Sequence, residues 1–165
     1  MQPTTDYPSA ANDFLSAHAE RLLDSWHYWT GGHLIDPALV KIERARRLFH
    51  APFAVLSHDT APDPILNYAN ETALALFELN WDQLVRTPSR LTAEPMHREA
   101  RAALLAQVSS RGYIDDYRGV RVSRTGRRFL IERATVWNLI DESGTPGGQA
   151  AAFRTWRFLD SAETS

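Results

Sequence analysis

The last third of the chain constrains the fold most, because three strand-length stretches there are separated only by turns. Residues 113–123 lead through Arg124-Thr125-Gly126 into residues 128–140, and a polar loop with Asp141, Gly144 and Pro146 precedes residues 148–158. Apolar and aromatic runs bounded by turn formers read as strands. Neighbours joined by such short connections pair antiparallel, since a parallel pair needs a crossover of a dozen residues or more.

Two shorter apolar runs, residues 53–57 and 65–68, flank His58-Asp59-Thr60-Ala61-Pro62-Asp63-Pro64, a segment rich in turn formers. They add two strands, which makes an antiparallel sheet of about five. Between the pair and the triplet lie helical signals. Asn70 caps a helix over residues 71–79 with Ala73, Leu76 and Phe77 inward, and residues 81–85 allow one further turn. Pro95 opens a longer helix reaching residue 110, with Met96, Ala100, Leu104 and Val108 as its inner stripe and Gly112 as its C-cap. Helices grouped on one face of such a sheet define an α+β domain.

Two helices precede this core. Asn12 or Asp13 caps the first, which runs to about Trp29 with Leu15, Ala19, Leu22, Trp26 and Trp29 on one face, and Gly31-Gly32 stops it. Asp36-Pro37 opens the second, with Leu39, Ile42, Ala45 and Phe49 facing one way. The expected organisation is a disordered tail over residues 1–11, a helical extension over 12–50, a core over 51–158 and a second tail over 159–165.

With 165 residues the chain is long enough for one domain with a real core. The absence of cysteine rules out disulfides, thiolate catalysis, iron–sulfur clusters and sulfur-ligated zinc. A net charge of −2 argues against a nucleic-acid footprint. No stretch approaches a membrane span, and the N-terminus lacks the basic and apolar regions of a signal peptide, so a cytoplasmic protein is expected.

Asn67-Tyr68-Ala69-Asn70-Glu71-Thr72-Ala73-Leu74-Ala75-Leu76-Phe77 resembles the PAS signature in which a strand ends at Asn and a short helix follows. Asp141-Glu142-Ser143-Gly144 before Gly147-Gly148 resembles the last PAS hairpin. The order strand-strand-helices-strand-strand-strand is likewise that of a PAS domain. Longer blocks are similar to the MEKHLA family, a PAS-like group found as stand-alone bacterial and algal proteins and in plant class III homeodomain–leucine zipper factors. These are residues 25–34 (SWHYWTGGHL), 51–78, 88–95 (PSRLTAEP), 112–116, 123–141 (with SRTGRRF and ATVWNLID) and 148–156. The resemblance implies a PAS-like five-stranded antiparallel sheet with helices across one face, preceded by two N-terminal helices, and a sensing role.

On that fold, Phe53, Tyr68, Phe77, Trp81, Tyr117 and Trp137 belong to the shell of a PAS cavity, where the same rings equally serve as core. Asn70, Arg90, His97, Arg133 and Gln149 are the polar groups expected to reach a ligand, with Asn70 also a helix cap. Gln149 resembles, as a glutamine on the last strand, the flavin-sensing glutamine of LOV domains, and strand phase decides whether it points inward. Flavin and haem remain cofactor candidates, with His97 the sole reasonable haem ligand; without cysteine no cysteinyl–flavin adduct can form. No His-x-x-x-His pair marks a metal site, and Ser57-His58-Asp59 cannot converge as a triad because strand neighbours alternate faces. No catalytic constellation is found.

The reading that results is a non-enzymatic sensory module that binds a small organic molecule and signals through a separate output protein. A protein-interaction domain with a filled core and a small enzyme using the cavity are the alternatives. Trp26, Tyr28 and Trp29 offer more ring than one helix face needs; the helix either mediates a homodimer or covers its own sheet.

Overall fold

The computed structural model describes residues 7–160, apart from the side chains of residues 95–97. Its strands are β1 (Ala54–His58), β2 (Leu66–Ala69), β3 (Tyr113–Val122), β4 (Arg128–Ile140), β5 (Pro146–Phe153) and β6 (Thr155–Phe158). All pairings are antiparallel, in the order β2-β1-β5-β4-β3, with β6 beside the first half of β4. The sixth strand comes from a break in the expected final one. β4 turns at Arg133, which has φ of +53°, and the opposing strand is interrupted at Arg154.

Alternation along β4 divides the molecule into layers. Val136 packs on Leu104 and Val108 of α5 (Pro95–Arg111), α3 (Glu71–Phe77) brings Phe77 to that side, and α4 (Trp81–Leu84) packs beside β2. Trp137, one residue on, points the other way and meets Trp26 of α1 (Ser16–Thr30) edge-on at 5.0 Å. Its indole N–H donates to the Leu22 carbonyl at 3.3 Å, and the Trp29 indole donates to the Asn138 carbonyl at 2.9 Å. The first helix therefore covers its own sheet with two of its three rings, while Tyr28 stays 67% exposed.

Asn70 locks the N-terminal part to the core. Its Oδ1 accepts from the Val55 and Ala73 amides at 3.0 and 3.1 Å; its Nδ2 donates to the Leu48 and Phe53 carbonyls at 3.1 and 2.8 Å. One fully buried amide thus caps α3, closes the end of α2 (Lys41–Phe49) and holds β1.

Several helix expectations shift. The first helix starts at Ser16, because Asp13, Phe14 and Leu15 adopt left-handed backbone and only a 3₁₀ segment, Ala10–Leu15, precedes it. Asp36-Pro37 makes a turn, with Asp36 Oδ1 accepting from the Ala38 amide at 2.9 Å, and α2 begins four residues later. Ile42 is consequently 48% exposed, and Leu48 takes the inner place. On α5, Leu104 and Val108 are buried but Ala100 is exposed, and Met96 lies outside the described side chains. Steps of four residues drift about 40° per step around a helix of 3.6 residues per turn. The inner line accordingly runs through Arg101, Leu104, Leu105 and Val108. Of the expected tails, residues 1–6 and 161–165 lie outside the described residues; Tyr7 packs edge-on against Phe49 at 5.3 Å.

Candidate functional site

Between the sheet and α5 lies a cavity of about 50 Å³. β1 and β5 supply its floor through Leu56, His58, Gln149 and Ala151, and Phe77 of α3 and Leu104 and Leu105 of α5 close it. Most of this lining is hydrocarbon. The exceptions carry charge or hydrogen-bonding atoms: Arg101 from α5, Arg121 and Tyr117 from β3, Ser57, His58, Gln149, and Ser89 and Thr92 of the 3₁₀ turn Ser89–Thr92.

The two arginines set the electrostatics. Arg121 is 8% exposed, its guanidinium donating to the Val120 carbonyl at 2.9 Å and sitting 5.1 Å from the centre of the Tyr117 ring. Arg101 donates to the Ser89 hydroxyl. No carboxylate lines the cavity among the described residues. Burial pulls both guanidinium groups below the ordinary arginine range; Arg101 is lowered to about 10, with the Arg121 charge as second cause. His58 donates from Nδ1 to the Asp59 carbonyl at 2.9 Å, while its buried Nε2 has no partner. Burial, and then the Arg101 charge, lower its pKa and favour neutral imidazole.

Gln149 resolves the strand phase, since its amide points to the α5 side. Nε2 lies 3.1 Å from the Leu105 carbonyl, 3.1 Å from the Ser109 hydroxyl and 3.0 Å from Asn138 Oδ1, so three acceptors share two hydrogens. Asn138 in turn donates from Nδ2 to the Val108 carbonyl at 2.9 Å, and its own carbonyl accepts from Trp29 on the far face.

A side-chain link also ties β1 to α1. Ser57 donates to Asn67 Oδ1 at 2.6 Å, leaving its oxygen to accept from His18 Nε2 at 2.9 Å. His18 is half-buried against Tyr68, and its withdrawal from water lowers its pKa to about 4.

Of the residues expected at a ligand site, the structure brings Phe77, Tyr117 and Gln149 to the cavity. Tyr68 and Trp137 are buried on the α1 side, and Trp81 packs edge-on against Tyr68 at 6.1 Å. The Tyr68 hydroxyl is buried with no hydrogen-bond partner. Asn70 is the structural tie already described. Phe53 lies under Arg154, whose guanidinium is 4.3 Å from its ring centre. Arg90 is at the surface, paired with Asp63 at 3.2 Å, and Arg133 occupies the exposed kink of β4. The His97 side chain lies outside the described residues. Sequence reasoning missed Arg101, Arg121 and His58. Arg101 was concealed by the straight four-residue stripe, and Arg121 by the irregular pairing of β3 between Ile114 and Gly119.

Among the described residues no cluster of three His, Cys, Asp or Glu could hold a metal ion, and no helix is long and apolar enough to cross a membrane. A wider hollow of about 640 Å³ lies between α1 and the β4–β5 loop, but Arg21, Asp24, Tyr28, Lys41, Asp141 and Glu142 around it are exposed. The cavity under α5 does not fit a flavin. Sites for drug-sized molecules run to about 300–1,000 Å³, and two guanidinium groups occupy its polar side.

Solved structures with the same architecture define the class. A PAS domain from Colwellia psychrerythraea superposes with a TM-score of 0.59 at 16% identity, covering 71% of this chain and 94% of that one. An RNA-binding light-oxygen-voltage receptor gives 0.57 at 21% identity over 78% of this chain and 35% of that one, and a light-oxygen-voltage domain gives 0.54 at 16%, over 72% and 86%. The fold is that of PAS domains. The MEKHLA domain model matches residues 16–158, and the chain belongs to that family. It is similar to the homeobox-leucine zipper proteins HOX10 of rice, 25% identical over 86% of this chain, and ATHB-9 of Arabidopsis thaliana, 27% identical over 61%. The chain spans only 17% and 12% of the lengths of those relatives.

Proposed function

We propose that this chain is a non-catalytic sensory module. Occupancy of the cavity under α5 changes how α1 lies on the opposite face, and a separate protein reads that change. The observation that carries this reading is Asn138. A single β4 residue is bonded to α5 through Val108, to the cavity through Gln149 and to α1 through Trp29. A ligand that moves α5 therefore meets a hydrogen-bonded connection to the other face, and it shifts the α1 population by its differential affinity for the two arrangements. PAS-like relatives support the sensing role. A nucleic-acid partner is not proposed, since net charge is −2 and the arginines at 44, 46, 47 and 90 are each paired with a carboxylate.

One observation favours a second reading, an interaction domain with a filled core. At about 50 Å³ the cavity is far smaller than the roughly 300–1,000 Å³ of ordinary small-molecule sites. Hydrogen exchange separates the two. Ala151→Leu projects added bulk from β5 into the cavity and imitates a ligand. Sensing predicts faster exchange in α1 amides; a change confined to α5 and β5 would leave the interaction domain as the better account.

A further inference from the structure

The cavity arginines contrast with five arginines of the fold that each meet a carboxylate. Arg44 is paired with Glu20, Arg46 and Arg47 with Glu43, Arg90 with Asp63, and Arg128 with Glu94, all at 3.2 Å or less. Arg101 and Arg121 are withdrawn from water, face the same small space, and have no acidic partner among the described residues. A buried charge is ordinarily paired, because desolvation without a counter-ion is among the largest penalties a fold can carry. Two like charges beside one cavity increase that penalty. The missing charge is negative.

We propose that the cavity binds a short-chain carboxylate, its oxygens held by Arg101 and Arg121 and its hydrocarbon lying against Leu56, Leu104 and Val136. The inference rests on the sensory reading and names its ligand class. Guanidinium groups present planar, paired donors that match the two oxygens of a carboxylate. The narrow space beside the two guanidinium groups suits a small anion with a short hydrocarbon tail, and longer chains require α5 to lift. The apolar lining disfavours inorganic phosphate, which has no surface to place there. His58 completes the site: its unpartnered Nε2 lines the same cavity, and a bound anion favours the protonated ring, turning that nitrogen into a further donor.

Binding is measured by calorimetry and thermal shift on the full chain, at constant ionic strength, for wild type, Arg101→Met, Arg121→Met and the double variant. Circular dichroism confirms that each is folded. The probes are acetate, propionate, butyrate and inorganic phosphate, with propionamide and butanol as neutral counterparts. The expected result is saturable binding of propionate or butyrate to wild type, weakened at least tenfold by either substitution and abolished by both, with phosphate and the neutral molecules weaker. Equal binding of phosphate would mean an adventitious anion only and overturn the proposal. Neutral probes binding as well as carboxylates, undiminished in the double variant, would overturn the anion while keeping a ligand-binding module. If no probe binds saturably the carboxylate site is refuted, and exchange changes that also stop short of α1 in Ala151→Leu would remove the sensory reading with it.

Discussion

Replacing Arg101 with methionine should stabilise the unliganded protein, the reverse of what most buried substitutions do. Burial together with Arg121 lowers the Arg101 pKa from the ordinary arginine range to about 10, and that gap corresponds to roughly 3 kcal/mol of penalty on the charged form. A basic group whose folded pKa is depressed carries its full penalty below the folded value and loses it only above the unfolded one. The penalty is therefore complete, and constant, from pH 6 to 9. Against it stands the hydrogen bond to Ser89, about 1 kcal/mol. Methionine keeps the hydrocarbon stem of the side chain and fits irregular space. The net expectation is a gain of about 2 kcal/mol, read by urea unfolding with far-ultraviolet circular dichroism, or an increase of roughly 4–8 °C in Tm for a chain of this size. The gain should be the same at pH 6 and pH 9. A variant less stable than wild type by 1 kcal/mol or more would refute the reasoning, since the arginine would then be a stabilising cation rather than one awaiting a counter-ion.

Asn70→Ala removes four buried hydrogen bonds, two from the Val55 and Ala73 amides and two to the Leu48 and Phe53 carbonyls; a loss of at least ~3 kcal/mol in urea unfolding is expected. Gly148→Ala should also destabilise by ~2 kcal/mol or more, because φ is +114° and a Cβ there would sit 2.1 Å from the His58 carbonyl oxygen, a backbone atom that cannot swing aside. Tyr68→Phe deletes a buried hydroxyl without a partner and should leave stability unchanged or raise it by ~1 kcal/mol. The neutral, half-buried His18, with a folded pKa of about 4 against 6.5, contributes stability that is fully present above pH 6.5 and falls away as pH drops towards 4. Stability curves of His18→Gln should be flatter than wild type across that window.

Much of this architecture was readable in the chain because local signals agreed with the tertiary answer. The turns at Arg124-Thr125-Gly126 and Asp141–Gly147 bound strands that do pair, and Asn70 stands where a cap and a strand end coincide. The site was less legible, for a physical reason. Whether a side chain faces the cavity depends on strand phase and helix rotation, and both are altered by irregularities that composition does not announce. The positive φ at Arg133, the shifted register of β3 and the left-handed residues before Ser16 are examples. Gln149 fell inward as one of two equally open phases, whereas Trp137 fell outward onto α1. Arg101 illustrates the limit best: an arginine among alanines on a helix reads as solvated charge, and only the direction of its neighbours Leu104 and Val108 shows otherwise.

The central claim is that the cavity and the first helix are one coupled unit. The Trp29 indole, hydrogen-bonded to the carbonyl of the residue that Gln149 holds, reports on it directly. In a ¹H–¹⁵N spectrum titrated with butyrate, its side-chain resonance should move saturably, in step with the Arg101 and Arg121 signals. Saturation of the arginine signals with the Trp29 indole unmoved would contradict the account.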